Sequence, residues 1–175
     1  MYCYCLFCET VHCDDVARHA ETKFDCRAIS PKQVQHIRRH GAFEDISHPL
    51  LPGYVFLYFD GPVEDTAMFR RLPGVLKCLK ETEKQAELSG SDEAFAMMLY
   101  EKNGVIGKTE VYAEGEKIRL KEGAFSGMEA EIVRVDRRAV RMQILLTFAG
   151  RPLRTWVEYE IVEKTKDETN AQTNA

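Results

Sequence analysis

The feature that most constrains the fold is an uninterrupted apolar run, YVFLYF, at residues 54–59. It follows the pair Pro52-Gly53, which favours a tight turn, and a polar turn at residues 60–62 ends it. Side chains of a strand point alternately to its two faces, so a run without a polar position must be covered on both. The sequence therefore predicts a central strand in a sheet that has other elements packed on either side.

Hydrophobic periodicity and turn signals predict the elements around this strand. Before residue 104 they are, in order, a strand at 2–8, a helix from Asp14, a short strand at 26–29, an extended hairpin or loop at 32–48, the central strand, a short helix at 63–72, a strand at 75–79 and a helix from Ser91. This order predicts an α+β fold in which helices flank an antiparallel sheet.

The pattern changes after residue 104. From residue 118 onward, short alternating strands separated by polar turns predict a small closed barrel, since closure removes exposed strand edges. We therefore expect an N-terminal domain at residues 1–104, a linker at 105–113, an all-β domain at 114–163 and a disordered polar tail at 164–175.

Composition excludes several classes of protein. The 175 residues include 24 Lys and Arg against 28 Asp and Glu, and a net charge of -4 does not suit a polycation that coats nucleic acid. No apolar run has the length of a membrane span, and no basic leader precedes the apolar start, so we expect a cytoplasmic protein without a membrane partner. No P-loop, G-x-S-x-G or H-E-x-x-H motif occurs, and we expect neither an enzyme nor a cofactor.

Five of the six cysteines fall within the first 26 residues. If residues 2–8 form a strand, Cys3 and Cys5 lie on one face and Cys8 on the other, so they cannot converge on one ion. We therefore expect reduced, structural cysteines and no metal. A zinc site or a redox sensor is the alternative.

Five motifs, by their order and spacing along the chain, carry a family resemblance. They are the aromatic strand at residues 2–8, PLLPGYVF at 49–56, LPGV at 72–75, EGEKIRLKEGAF at 114–125 and IVEK at 161–164. Over nearly its whole length the chain resembles the NusG family of bacterial transcription elongation factors. The resemblance implies an NGN domain followed by a KOW domain, a small SH3-like five-stranded barrel. Residues 105–112 and the VDRR sequence at 135–138 further resemble the LoaP group of processive antiterminators.

The resemblance implies a polymerase-binding surface. In the family, an apolar concavity on the NGN sheet docks onto the clamp helices of RNA polymerase. The matching positions are Leu51, Tyr54 and Phe56, with Tyr4 nearby. The alternative is that these residues are ordinary core positions of the central strand.

Clustered arginines are the candidates for nucleic-acid binding, because paired guanidinium groups can hold phosphates or read guanine edges. One cluster is Arg38, Arg39 and His40 at the predicted hairpin tip, and the other is Arg70 and Arg71 at a helix end. Nascent RNA and non-template DNA are the expected ligands, and a solvated charged surface is the alternative.

A third surface is expected on the barrel. Phe148 corresponds to the position where family barrels contact a ribosomal protein or a termination factor, and Arg137 and Arg138 form a basic turn that could meet an RNA or an acidic partner. Phe148 could equally be a core residue, and the arginines a solvated turn.

The resemblance therefore implies an elongation factor that binds polymerase and promotes processive antitermination, with recognition of a nascent RNA hairpin, and we expect it to be a monomer. A general NusG-type elongation or termination factor and a stand-alone RNA-binding module are the alternatives.

Overall fold

The structure is a computed structural model, and it describes residues 1–39, 42–80, 85–114, 117–121, 125 and 130–162. The N-terminal half, residues 1–106, contains β1 (Tyr2–Cys8), a 3₁₀ helix (Thr10–His12), α1 (Cys13–Lys23), β2 (Arg27–Ile29), β3 (Lys32–Arg39), β4 (Ala42–Pro49), β5 (Tyr54–Phe59), a second 3₁₀ helix (Thr66–Arg71), β6 (Val75–Cys78), α2 (Gly90–Glu101) and β7 (Val105–Ile106). The C-terminal half, residues 109–162, contains β8 (Thr109–Glu114), β9 (Lys117–Leu120), β10 (Ala130–Asp136), β11 (Arg141–Phe148) and β12 (Arg151–Val162). Of the helices in the described ranges, none is long and apolar enough to cross a membrane.

Strand β5 lies inside a four-stranded sheet with the order β2-β5-β1-β6. It pairs antiparallel with β1, so that Tyr54 lies opposite Phe7 and Phe56 opposite Cys5. The four inner positions of β5 are all buried, as its apolar run predicts. The β3–β4 hairpin belongs to a separate three-stranded sheet, in which β7 pairs parallel to β3.

The two faces of the sheet carry separate apolar clusters. Tyr4, Leu6 and Cys8 of β1 pack with Val16 and Ala20 of α1 on one face. On the other face Cys3, Cys5 and Phe56 pack with Phe95 and Leu99 of α2 and with residues of the C-terminal half. The alternation predicted for residues 2–8 is therefore present, and the first cysteines lie on opposite faces.

The C-terminal half is a five-stranded sheet with the order β10-β11-β12-β8-β9. Its longest strand, β12, pairs antiparallel with β11 over residues 151–158 and then parallel with β8 from Tyr159 onward. This change of partner folds the sheet toward a half-barrel. Met142, Ile144, Leu146 and Phe148 alternate along β11 and point into the core.

The predicted fold class, an α+β half followed by an all-β half, is confirmed. Of the segment predicted as a hairpin or loop, the described residues form two paired antiparallel strands, β3 and β4, and the short helix at 63–72 is a 3₁₀ helix at Thr66–Arg71. The predicted linker at 105–113 contributes β7 to the first half and most of β8 to the second. The predicted tail, residues 164–175, lies outside the described residues.

Gly104 lies just after the C-terminus of α2, where its N–H donates to the Leu99 carbonyl at 2.7 Å. A substitution there tests how closely this end of the helix approaches β2. It has φ of +75°, and a Cβ placed on it would overlap Cγ2 of Ile29. We expect Gly104→Ala to lower the free energy of unfolding by about 2–4 kcal/mol, because backbone strain and overpacking add. Urea unfolding measures the loss. The control is Gly107→Ala, since a Cβ there meets nothing within 4 Å, and an equal loss in both variants would contradict the close approach.

Candidate functional site

Three of the predicted polymerase-binding residues lie together at one end of β5. Leu51 is in the turn that precedes β5, and the N–H of Tyr54 donates to the Leu51 carbonyl at 3.1 Å. Gly53 completes this turn with φ of +89°. Tyr54 and Phe56 point to the same face of the sheet, and the Tyr54 ring contacts the Phe7 ring at 5.4 Å. We call Leu51, Tyr54 and Phe56 the aromatic face.

The structure does not bring Tyr4 to the aromatic face. Tyr4 points to the opposite side of the sheet, where its ring packs against Phe59 and Phe69 at 5.7 and 5.8 Å. Its hydroxyl accepts a hydrogen bond from the N–H of Val63 at 2.9 Å. Burial raises the pKa of this phenol above its usual value. These contacts give Tyr4 the role of a core residue between β1 and the segment that follows β5.

The aromatic face is covered by Phe148, the residue predicted to contact a partner of the barrel. Phe148 is 2% exposed, and its ring lies 5.5 Å from Phe56, 6.1 Å from Tyr54 and 6.1 Å from Phe95 of α2. Edge-to-face rings at these separations are a favourable aromatic arrangement. The structure thus places two surfaces predicted for different partners against each other. We call this contact between the two halves the seam.

Among the described residues, three buried polar side chains form hydrogen bonds across the seam and align the two halves. The Thr155 hydroxyl donates to the Leu50 carbonyl at 2.5 Å. The Gln33 side-chain amide, oriented to satisfy both of its groups, donates to the Trp156 carbonyl and accepts from the Glu158 N–H. The third contact is a carboxylate of α2, Asp92, which accepts from the N–H of Ala149 at 2.8 Å. All three side chains are buried, so each hydrogen bond replaces one to water that docking removes.

The predicted nucleic-acid residues fall in different places. Arg70 and Arg71 are exposed in the last turn of the second 3₁₀ helix. Arg70 lines an open cleft of about 540 Å³ together with Lys77, Lys80 and, from the C-terminal half, Arg151. Arg38 and Arg39 end β3. His40 lies outside the described residues.

The three residues predicted for the barrel's partner are separated. Arg137 and Arg138 are exposed in the turn between β10 and β11, whereas Phe148 ends β11, roughly 23 Å further along at about 3.3 Å per residue. Asp136 organises this turn by accepting from the N–H of Ala139 at 3.0 Å. That hydrogen bond, helped by Arg141, lowers the pKa of the Asp136 carboxyl.

All six cysteines are free thiols, four of them buried. Burial raises the pKa of Cys3, Cys26 and Cys78 to about 11 and that of Cys8 to about 12. Within the described ranges, no three His, Cys, Asp or Glu side chains are grouped so that they could hold a metal ion.

Comparison with known proteins decides the family. A sequence profile described as "Transcription termination factor nusG" matches residues 1–98. The chain belongs to the NusG family. It is 22% identical over 147 residues to the transcription termination/antitermination protein NusG of Thermus thermophilus, covering 78% of each chain. It is 26% identical over 139 residues to the protein of that name from Helicobacter pylori, covering 78% of this chain and 77% of that one.

A solved structure described as "Domain interaction in Thermotoga maritima NusG" shares the fold. The TM-score is 0.52 at 16% sequence identity, and the match covers 90% of this chain and 93% of that one. The expected family is therefore confirmed, and with it a transcription termination or antitermination factor of the NusG type. The finer resemblance to the LoaP group stays a prediction.

The thiols give a prediction that bears on the redox-sensor alternative. With a pKa near 11, roughly one thiol in a thousand is ionised at pH 8, so we expect an aromatic disulfide reagent to react slowly with the folded protein and fast in urea. The ordinary pKa of a free thiol is 9.0, so unfolded cysteines ionise first and stability should fall as pH rises from about 9 to about 11. A native thiol that reacts within seconds at pH 8 would contradict this.

Asp92 gives a prediction for the seam. We expect Asp92→Ala to lower the free energy of unfolding by about 1–3 kcal/mol, because the buried N–H of Ala149 loses its acceptor. The control is Glu93→Ala, which removes an equal charge from the first turn of α2 and should cost no more than about 1 kcal/mol. Urea unfolding measures the free energy of unfolding of both variants. Equal losses would contradict a stabilising role for the Asp92–Ala149 hydrogen bond.

Proposed function

We propose that this protein is a transcription elongation factor that binds RNA polymerase through the aromatic face and promotes processive antitermination. It acts by binding and not by catalysis, in the cytoplasm and as a monomer. The observation that supports the proposal is the packing of the Phe148 ring against the rings of Tyr54 and Phe56. A face that accepts an apolar side chain from elsewhere in the chain has the shape and chemistry to accept one from a partner.

The expected partner surface is the clamp helices of polymerase. A helix presents apolar side chains three and four residues apart, and a concave aromatic surface is a common receptor for them. Tyr54 suits such a role because it is only partly buried, with an apolar ring beside the cover and a polar tip. Large aromatic side chains of this kind dominate the binding energy of most interfaces.

Binding by this face requires the C-terminal half to leave it. Phe148 and a polymerase helix would occupy the same surface, so the two contacts exclude each other. A ligand that binds only the open form shifts the population toward that form by its own binding energy. Opening also exposes Phe148, which then becomes available to a ribosomal protein or a termination factor, with Arg137 and Arg138 at the far end of β11.

Nucleic-acid recognition is proposed for the arginines at the hairpin end and in the Arg70 cleft. Among the described residues of the N-terminal half, Arg70, Lys77 and Lys80 line that cleft beside two carboxylates, so a net positive surface for phosphates remains when Arg151 leaves with the C-terminal half. Held beside polymerase, the arginines would contact a nascent RNA hairpin or the non-template strand. The antitermination mechanism is a bridge across the clamp that disfavours the open, paused state of polymerase.

Capture by immobilised core polymerase tests the proposal. We expect Tyr54→Ala to weaken capture about tenfold or more, since it removes an interface aromatic. We expect Phe148→Ala to strengthen capture, because it removes part of the competing cover. The control is Tyr2→Ala, a tyrosine that packs on the α1 side of the sheet and should leave capture unchanged. Unfolding midpoints of all variants establish that they fold. Undiminished capture by Tyr54→Ala would overturn the aromatic face as the polymerase site.

The covered aromatic face favours a second candidate, a stand-alone RNA-binding module, because such a module needs no release of the C-terminal half. It would bind a leader hairpin without polymerase, with an affinity that falls with salt and a salt slope that shrinks in Arg70→Gln.

A further inference from the structure

A groove opens on the seam between the β3–β4 hairpin and the outer face of the C-terminal sheet. Its volume is about 290 Å³, at the lower end of the range of ligand pockets. Gln35 and His48 line it from the hairpin, and Arg141, Arg154 and Trp156 line it from β11 and β12. No carboxylate is among its lining residues in the described part of the chain. The groove therefore combines positive charge, amide and imidazole groups, and one large aromatic ring.

Trp156 is held at the seam by its backbone. Its carbonyl accepts a hydrogen bond from the Gln33 side-chain amide at 3.2 Å. This bond from β3 fixes the position of the Trp156 backbone and therefore of its side chain. The ring itself is partly exposed. The Arg141 guanidinium lies 4.7 Å from the ring centroid and that of Arg134 lies 5.9 Å away. A guanidinium this close to the face of an indole is attracted to it and adds positive charge beside the ring.

The strand alternation explains why these side chains point outward. Met142 of β11 and Thr155 and Val157 of β12 are buried, so their neighbours along the strands point to the opposite face. Arg141 forms an ion pair with Asp136 at 3.5 Å, which neutralises part of its charge. Arg154 is exposed on the same face and lies two positions before Trp156.

We propose that this groove binds single-stranded nucleic acid, with a base on the Trp156–Arg141 platform and a phosphate on Arg154. Bases stack on aromatic and guanidinium planes whatever their sequence, while cations track the backbone. The Gln35 amide, which lines the groove, would supply a donor and an acceptor for a base edge. The groove lies at the base of the hairpin that ends in Arg38 and Arg39, so a strand could continue from one to the other. The inference rests on the proposed function only for the source of this strand, which is a transcribing polymerase.

Both halves of the chain build the groove, and this has a thermodynamic consequence. A strand bound there stabilises the docked arrangement, and it therefore opposes release of the aromatic face. Nucleic acid and polymerase should each weaken the binding of the other by the same factor when both are free in solution.

Trp156 is the only tryptophan of the chain, so its fluorescence reports on the groove directly. The full-length protein is titrated with a ten-nucleotide single-stranded RNA and, in a second arm, with DNA of the same sequence. We expect quenching that weakens with salt. Quenching by both strands assigns the site to bases and phosphates, and quenching by RNA alone adds a contact to the 2′-hydroxyl.

Variants are compared by the anisotropy of a labelled oligonucleotide. Trp156→Ala should weaken binding about tenfold or more, while Trp156→Phe, which keeps a stacking ring, should weaken it less. Arg154→Gln should reduce the salt slope by about 0.7, the value of one phosphate contact on a single strand. The control is Arg18→Gln on α1, an exposed arginine on the other side of the sheet. Phe148→Ala, which loosens the seam, should also weaken binding.

Absence of quenching, or an affinity that Trp156→Phe, Trp156→Ala and Arg154→Gln all leave unchanged, would overturn the groove as a site. Unchanged affinity in Phe148→Ala would overturn its dependence on docking. Polymerase capture separates this inference from the proposed function. Loss of quenching with capture still sensitive to Tyr54→Ala removes only the groove, and quenching without any capture removes only the polymerase role.

Discussion

Coverage of both faces of β5 is the constraint on which the rest of the structure depends. One face is closed by α1 within the N-terminal half, but α2 closes only part of the other. Burying one large apolar side chain contributes about 1.5–3 kcal/mol, so the remainder of the face cannot be left in water without loss. In the docked arrangement Phe148 supplies the missing cover, and a single apolar cluster includes residues of both halves, from Cys3 to Tyr159.

The hydrogen bonds of the seam determine how the two halves are oriented more than how strongly they are held together. A hydrogen bond of this kind contributes about 0.5–1.5 kcal/mol net, because water takes its place when the halves separate. Gln33, Asp92 and Thr155 therefore align β12 and the turn after β11 against the N-terminal half without making the contact permanent. Apolar burial with replaceable polar contacts is what a surface needs if it is to be covered at one time and bound by a partner at another.

Short-range hydrophobic patterns predicted the parts of the fold that depend only on residues close together in the sequence. The alternation of residues 2–8 and the apolar run of β5 need only neighbouring residues to be interpreted, whereas the pattern at 32–48 left a hairpin and a loop both open. The placement of Tyr4 beside the aromatic face came from family resemblance. Alternation put Tyr4 on the face opposite Cys3 and Cys5, but only the pairing of β1 with β5, in which Cys5 lies opposite Phe56, shows that the aromatic face is on the cysteine side. The segment 105–113 pairs with β3 and β12, strands far away in sequence, and short-range patterns carry no information about such pairing.

The seam itself could not be predicted from sequence, for a physical reason. An apolar residue at the end of a strand, such as Phe148, is expected to be buried, but the sequence does not show which other residues bury it. The same ambiguity applies to Tyr54 and Phe56, whose two interpretations, core and interface, were left open by the sequence. In the docked form they are core residues, and in the open form that we propose they would be interface residues, so under this proposal the two interpretations describe two states of one surface. What separates the states is a difference in free energy, which a partner changes only by as much as it prefers one state over the other.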